Sequence, residues 1–192
     1  MMKEILKTCL LAACFLLVSD AATAQEVVHA LSGTVTSIDS SAKTITVFTD
    51  NRSEGFFKDL TNPKTPIEFD KDIRASATAV DSFKMKGAYV IVFYFGGGDV
   101  RTAVALRSLG AGPFSKDTGT IVKIGGKNSI SIADESGALK SFKLTSNTVA
   151  ETVYGAMIGS KYQPHKGDKV RVTAAVVNGS KTALLVNTLV AN

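Results

Sequence analysis

Gly33-Thr34-Val35-Thr36-Ser37-Ile38 returns, 86 residues later, as Gly119-Thr120-Ile121-Val122-Lys123-Ile124. This pair of segments decides the fold, because everything downstream of the first copy follows the second in the same order. Ile45-Thr46-Val47 matches Ile130-Ser131-Ile132, and Phe57-Lys58 matches Phe142-Lys143, both at an offset of 85. Lys86-Gly87 matches Lys166-Gly167, Thr102-Ala103 matches Thr182-Ala183, and Leu109 falls on Leu189, all at an offset of 80. Matches in one order with a slowly shrinking offset are what a duplication followed by a short deletion leaves behind. The deletion removes five residues between the third and fourth segments of the second copy.

Within each copy the segments read as strands. In the first, 35–38, 45–49, 56–60, 89–95 and 101–109 are rich in β-branched and aromatic residues. Asp39-Ser40-Ser41, Asp50-Asn51-Arg52 and Gly96-Gly97-Gly98-Asp99 separate them with turn chemistry. In the second, Asn178-Gly179 between two apolar runs is a strong hairpin signal, since both residues tolerate positive φ. A longer connection, 61–85 in one copy and 145–165 in the other, lies between strands three and four. In the latter, Thr148-Val149-Ala150-Glu151 fits a capping box and predicts the start of a short helix. Five strands with a helix or loop between the third and fourth is the order of an OB-type barrel. The expected fold is all-β with room for a minor helix: two tandem five-stranded OB-like barrels, over 25–110 and 118–192, joined by a linker at 111–117.

The N-terminus reads as a secretory signal over residues 1–24. Lys3 and Lys7 precede the apolar run from Leu10 to Val18, which is too short to span a bilayer, and Ala22-Thr23-Ala24 supplies the small-x-small cleavage pattern. Cleavage after Ala24 leaves Gln25 first and a periplasmic or extracellular protein with no further membrane segment. The rival is a lipobox, Leu11-Ala12-Ala13-Cys14, which would anchor the chain through an acylated Cys14. Both cysteines, Cys9 and Cys14, lie inside the signal, so after cleavage at Ala24 no disulfide staples the protein and packing must stabilise it.

The strand motifs, taken together, resemble a family of small exported bacterial domains of unknown function. The matching residues are the opening Gly-Thr-Val-x-x-Ile, the second-strand Ile-Thr-Val, the Lys-Gly before the fourth strand and the fifth-strand Thr-Ala. The resemblance covers nearly the whole mature chain, once per half, and implies OB-like barrels that often occur in tandem. It brings no functional residues with it, and the analogy to oligosaccharide-, nucleic-acid- or peptide-binding OB domains is one of fold alone.

Chemistry-bearing motifs are sparse. His29 and His165 lie in separate regions without a metal-ligand spacing. No Gly-x-Ser-x-Gly elbow is present, and Gly96-Gly97-Gly98 precedes a strand, whereas a phosphate cradle precedes a helix. Glu68-Phe69-Asp70-Lys71-Asp72 lacks the ligand alternation of a calcium loop. The expectation is a protein without cofactor or catalytic residues.

Two surfaces stand out. The net charge of +5 is concentrated in the second module, which carries +4 over 117–192 against +1 over 25–116. Tyr162, Lys166, Lys169 and Arg171 are the candidate site for an anionic glycan or lipid headgroup; nucleic acid is not an expected partner in an envelope compartment. The second surface emerges when strand four of one copy is laid on the other. Copy two alternates Val170, Val172, Ala174 and Val176 with Lys169, Arg171, Thr173 and Ala175. Copy one puts Val90, Val92 and Tyr94 at the inward positions, and Tyr89, Ile91, Phe93 and Phe95 where its sibling carries cations. An apolar face of this kind does not stay bare. It packs against the second barrel or another subunit, or it binds a ligand. The sequence therefore predicts a non-enzymatic binding or assembly module of the cell envelope that contacts a protein partner, or itself, through Tyr89, Ile91, Phe93 and Phe95.

Overall fold

A computed structural model describes residues 26–51, 54–59, 67–80, 82–98, 101–110, 112–126 and 128–189. The predicted signal sequence, its expected cleavage site and the lipobox motif lie outside the described residues. No helix among those described is long and apolar enough to cross a membrane.

The first half opens with a short strand, β1 (Glu26–Val27), and continues through β2 (His29–Asp39), β3 (Thr44–Thr49) and β4 (Glu54–Asp59). The connection that follows holds β5 (Ile67–Glu68) and helix α1 (Lys71–Ala75), and β6 (Tyr89–Phe95) and β7 (Arg101–Ser108) complete the half. Strands β2, β3, β4, β7 and β6 close into a barrel in that order, so the fifth strand of the set lies between the third and the fourth. That order is the OB arrangement the sequence predicts.

The second half repeats it with β8 (Ser115–Ile124), β9 (Ser129–Ala133), β10 (Leu139–Lys143), β13 (Lys169–Val177) and β14 (Ser180–Thr188). Its ring closes through the parallel pairing of Lys143 with Thr182, the counterpart of Lys58 with Thr102 in the first barrel. Between β10 and β13 lies a hairpin, β11 (Val149–Thr152) and β12 (Gly155–Ile158), which extends the sheet beyond β14.

The duplication extends to irregularities that composition does not reveal. The first strand of each barrel bulges at the same place, between Val35 and Ser37 and between Ile121 and Lys123. The fifth strands bulge at Val104 and at Leu184, opposite the Phe93–Tyr94 and Thr173–Ala174 steps of the fourth. Val35 N–H donates to Ala88 and its carbonyl accepts from Gly87; Ile121 does the same with Asp168 and Gly167. Gly33 and Gly119 are both required for close approach, since a Cβ on either would lie 2.4 Å from a backbone oxygen of the neighbouring strand. Bulges bend and twist a strand, which lets five strands close over a small core.

Each barrel has its own interior. Val35, Ile45, Val47, Phe57, Val90, Val92 and Leu106 fill the first, with Val80 and Phe83 of the connection plugging one end. Ile121, Ile130, Ile132, Phe142, Val170, Val172 and Val186 fill the second. A third apolar cluster belongs to neither: it lies between the barrels.

Two expectations need correcting. The helix predicted at Thr148 is strand β11. Thr148 does not cap; its buried hydroxyl donates to Ala183 O at 2.7 Å and accepts from Thr145 N–H, pinning the segment along β14, while Glu151 reaches to the other barrel. Among the described residues the helix lies instead in the first copy, where Asp70 accepts from the amides of Asp72 and Ile73. The linker is also shorter than 111–117. Ser115 and Lys116 already pair with Ala174 and Thr173, and Phe114 stacks on the Tyr89 ring at 4.8 Å.

Candidate functional site

Strand β6 organises the surface between the barrels. Its inward residues Val90 and Val92 belong to the first barrel's interior, as the alternation predicts. Its outward residues Ile91 and Phe93 have no exposed surface at all. Phe69 and Ile73 of the α1 region cover them from one side, and Val149, Ile158 and Leu185 of the second barrel cover them from the other. Tyr89 is buried and Phe95 half-buried. The face read from sequence as the contact surface for a partner protein is therefore consumed inside the chain. Burial of each large side chain here contributes ~1.5–3 kcal/mol, more than enough reason for the second barrel to occupy it.

Polar groups fix the register of this docking. Asp50 accepts from Ser32 Oγ at 2.5 Å and from Tyr89 Oη, and pairs with Lys116 Nζ at 2.5 Å. Thr173 of the second barrel completes the ring at 3.4 Å. Burial and the neighbouring Asp50 carboxylate push the Tyr89 phenol well above its ordinary value, so it remains a donor. Ser32, Asp50, Tyr89 and Lys116 converge on one point, where Ser32 is held by Asp50 and the adjoining void is about 20 Å³. The cluster is a clamp.

A second clamp is Glu151. It accepts from Ala30 N–H at 2.7 Å and meets His29 Nδ1 at 2.6 Å. Burial raises the carboxyl above its ordinary value despite both partners. A third is Arg107, which donates to Asn147 O at 3.0 Å and to Ser76 Oγ while its guanidinium lies over the Phe93 ring.

The predicted anion site does not assemble. Tyr162 is buried in the second barrel's own apolar cluster, so its ring cannot stack on a ligand in solution. Arg171 turns into the interface, where it donates to Asn51 Oδ1. Lys166 and Lys169 are exposed. His165 is exposed as well, and its amide donates to Asp168.

Open concave surfaces flank the β11–β12 hairpin. At its tip Val153 is 58 % exposed and Tyr154 84 % exposed. On one side of this ridge runs a groove of about 470 Å³ between the barrels, walled by Val27, Phe69, Tyr154, Ala156 and Met157. Lys161 and Asp70 form an ion pair of 2.7 Å on its rim. Burial works against the charge of Asp70, but Lys161 and two helix amides outweigh it and hold the carboxyl below its ordinary value. On the other side is a hollow of about 380 Å³ lined by Val153, Tyr154, Met157, Tyr162, His165 and Thr188, among others. The hairpin is held against the N-terminal segment by Ala156 N–H, which donates to Val28 O at 2.7 Å. Gly155, at φ +98°, permits that approach, since a Cβ there would lie 2.5 Å from Val27 Cγ1. Tyr162 and His165, singled out in the sequence on other grounds, line the hollow, and the unequal length of the connections between strands three and four marks where the hairpin replaces the helix.

No known protein family and no curated protein sequence matches the chain.

Proposed function

We propose that the protein is an exported, non-catalytic binding or assembly module of the cell envelope that holds a partner protein through the groove beside the β11–β12 hairpin. The observation that carries this reading is the exposure of Tyr154. The second copy replaces the helix of the first with a hairpin whose tip holds a tyrosine and a valine out in water beside a groove walled by Val27, Phe69 and Met157 and by the Asp70–Lys161 pair. Large side chains left in this position are the usual anchors of protein interfaces, where Tyr and Met are enriched. The ion pair of Asp70 and Lys161 at the rim supplies the polar border such an interface has. Strand β6 contributes indirectly, by locking the barrels so that the groove has a fixed width.

The test is site-specific photo-crosslinking in the producing cell. A benzophenone side chain at position 154 should give one discrete protein adduct. The same group at Val176, 68 % exposed near the end of β13, should not. Identical adducts at both positions, or none at 154, would remove the groove from consideration.

A further inference from the structure

We infer that the hollow on the far side of the hairpin is a small-molecule site for a neutral, ring-bearing ligand that carries a carbonyl acceptor. It goes beyond the partner-protein reading, because its deciding groups, Tyr162 and Thr188, do not line the groove. A volume of about 380 Å³ falls in the ~300–1,000 Å³ range of small-ligand sites. Val153, Tyr154 and Met157 provide an apolar wall on which a flat ring can stack and meet a thioether.

The second, independent observation concerns hydrogen bonding. Tyr162 is more than nine-tenths buried, yet its hydroxyl finds no partner apart from the neighbouring, equally covered hydroxyl of Thr188. The two lie near one another, but a bond between them would still leave one donor idle. Buried polar groups are nearly always satisfied, and an unsatisfied one costs the fold what a phenylalanine would avoid. The ring of Tyr162 already packs with Ile121, Phe142 and Val170 in the barrel interior, a role for which the hydroxyl is unnecessary. Burial raises the phenol above its ordinary value, so it stays protonated and able to donate.

The charges around the hollow select the ligand's head. Lys161 is engaged by Asp70, and His165 faces Asp168, with its amide on the same carboxylate. No cation on the rim is left without a counter-charge for a carboxylate or phosphate. A ketone, ester or amide oxygen accepts from the one hydroxyl donor that the Tyr162–Thr188 pair leaves over and needs no counter-charge.

Acetylnaphthalene and its isostere isopropenylnaphthalene, identical in shape but differing in the carbonyl, test this on the purified protein. Binding is followed by ligand fluorescence and by the methyl resonance of Met157. The ketone should bind more tightly than the isostere by roughly three- to tenfold, the worth of one neutral hydrogen bond. Tyr162→Phe should erase that preference while leaving the melting temperature level or higher, and Thr188→Val should reduce it. Tyr154→Ser should weaken both probes alike. The inference is overturned if neither probe saturates, if the ketone holds no advantage, or if the advantage survives in both hydroxyl variants. A marked fall in melting temperature for Tyr162→Phe would also overturn it, by showing that the fold itself uses the hydroxyl. Crosslinking at position 154 in the Tyr162→Phe background reads the groove separately.

Discussion

Replacing Phe93 with alanine separates the barrel interiors from the seam between them. The ring is fully buried, 5.3 Å from Phe69 and under the Arg107 guanidinium, and it packs in the cluster shared with Val149, Ile158 and Leu185. Phe57 is equally buried but sits in the interior of the first barrel. Truncation of either should cost ~3–5 kcal/mol, the transfer free energy plus the cavity left behind. At ~2–4 °C per kcal/mol for a chain of this size, the melting temperature should fall by roughly 6–20 °C in both cases.

Amide hydrogen exchange then distinguishes the two variants. In Phe93→Ala, the amides of Ala30 and Ala156, bonded across the seam to Glu151 and Val28, should lose protection first. Those of Val35 and Ile121, bonded within their own barrels, should hold. In Phe57→Ala the order reverses for Val35. If Phe93→Ala instead released Val35 together with Ala30, the seam and the barrel would be one cooperative unit and the division drawn above would be wrong. A cost below about 1 kcal/mol would show the outward face of β6 contributing little, against ~1.5–3 kcal/mol for a buried side chain of this size.

Asp50→Ala should cost ~1–3 kcal/mol in urea unfolding, because it leaves the Ser32 and Tyr89 hydroxyls without their acceptor while the half-exposed Lys116 turns to water, and Asp50→Asn should cost less. Acid unfolding should follow Asp70, Asp117 and Asp134, all held below their ordinary values, Asp134 at about 2. Their folded-state values lie below the unfolded ones, so the stabilisation is present above pH ~4 and lost as the pH falls towards ~2, and Asp134→Asn should flatten that limb of the urea midpoint against pH. Gly155→Ala should lower the melting temperature more than Gly87→Ala. Both sit at positive φ, worth ~1–2 kcal/mol of strain, but only the first meets Val27 and Val28. A fragment of residues 112–192 should show a cooperative thermal transition, and one beginning at 117 a lower one, since it lacks Ser115 and Lys116 opposite Ala174 and Thr173.

The barrels were legible because each depends on local periodicity, which the chain states twice. Alternation along 89–95 correctly put Val90 and Val92 inside and Ile91 and Phe93 outside. What covers Ile91 and Phe93 was not legible, since Val149, Ile158 and Leu185 come from three separate places in the other half and carry no common pattern. Thr148 and Glu151 have the spacing of a helix cap, yet β14 offers a strand edge to their segment and His29 a partner to the carboxylate. Tyr162 misled for a related reason. Its neighbours in sequence are polar and charged, whereas its neighbours in space are Phe142 and Val170. Neighbourhood along the chain predicts strands; the groove is built from contacts far apart along it.

The division of labour at the seam gives the two halves unequal fates during synthesis. The first barrel has all its strands by Ser108, but the residues that cover Ile91 and Phe93 from the other side run as late as Leu185. A chain emerging N-terminus first therefore carries a finished barrel with a bare apolar flank while some 75 further residues follow. The second barrel has no such interval, because the face it docks on is complete before its own strands emerge. The first half is the one that has to be kept from sticking to its neighbours, and the second half, by arriving, is what shields it.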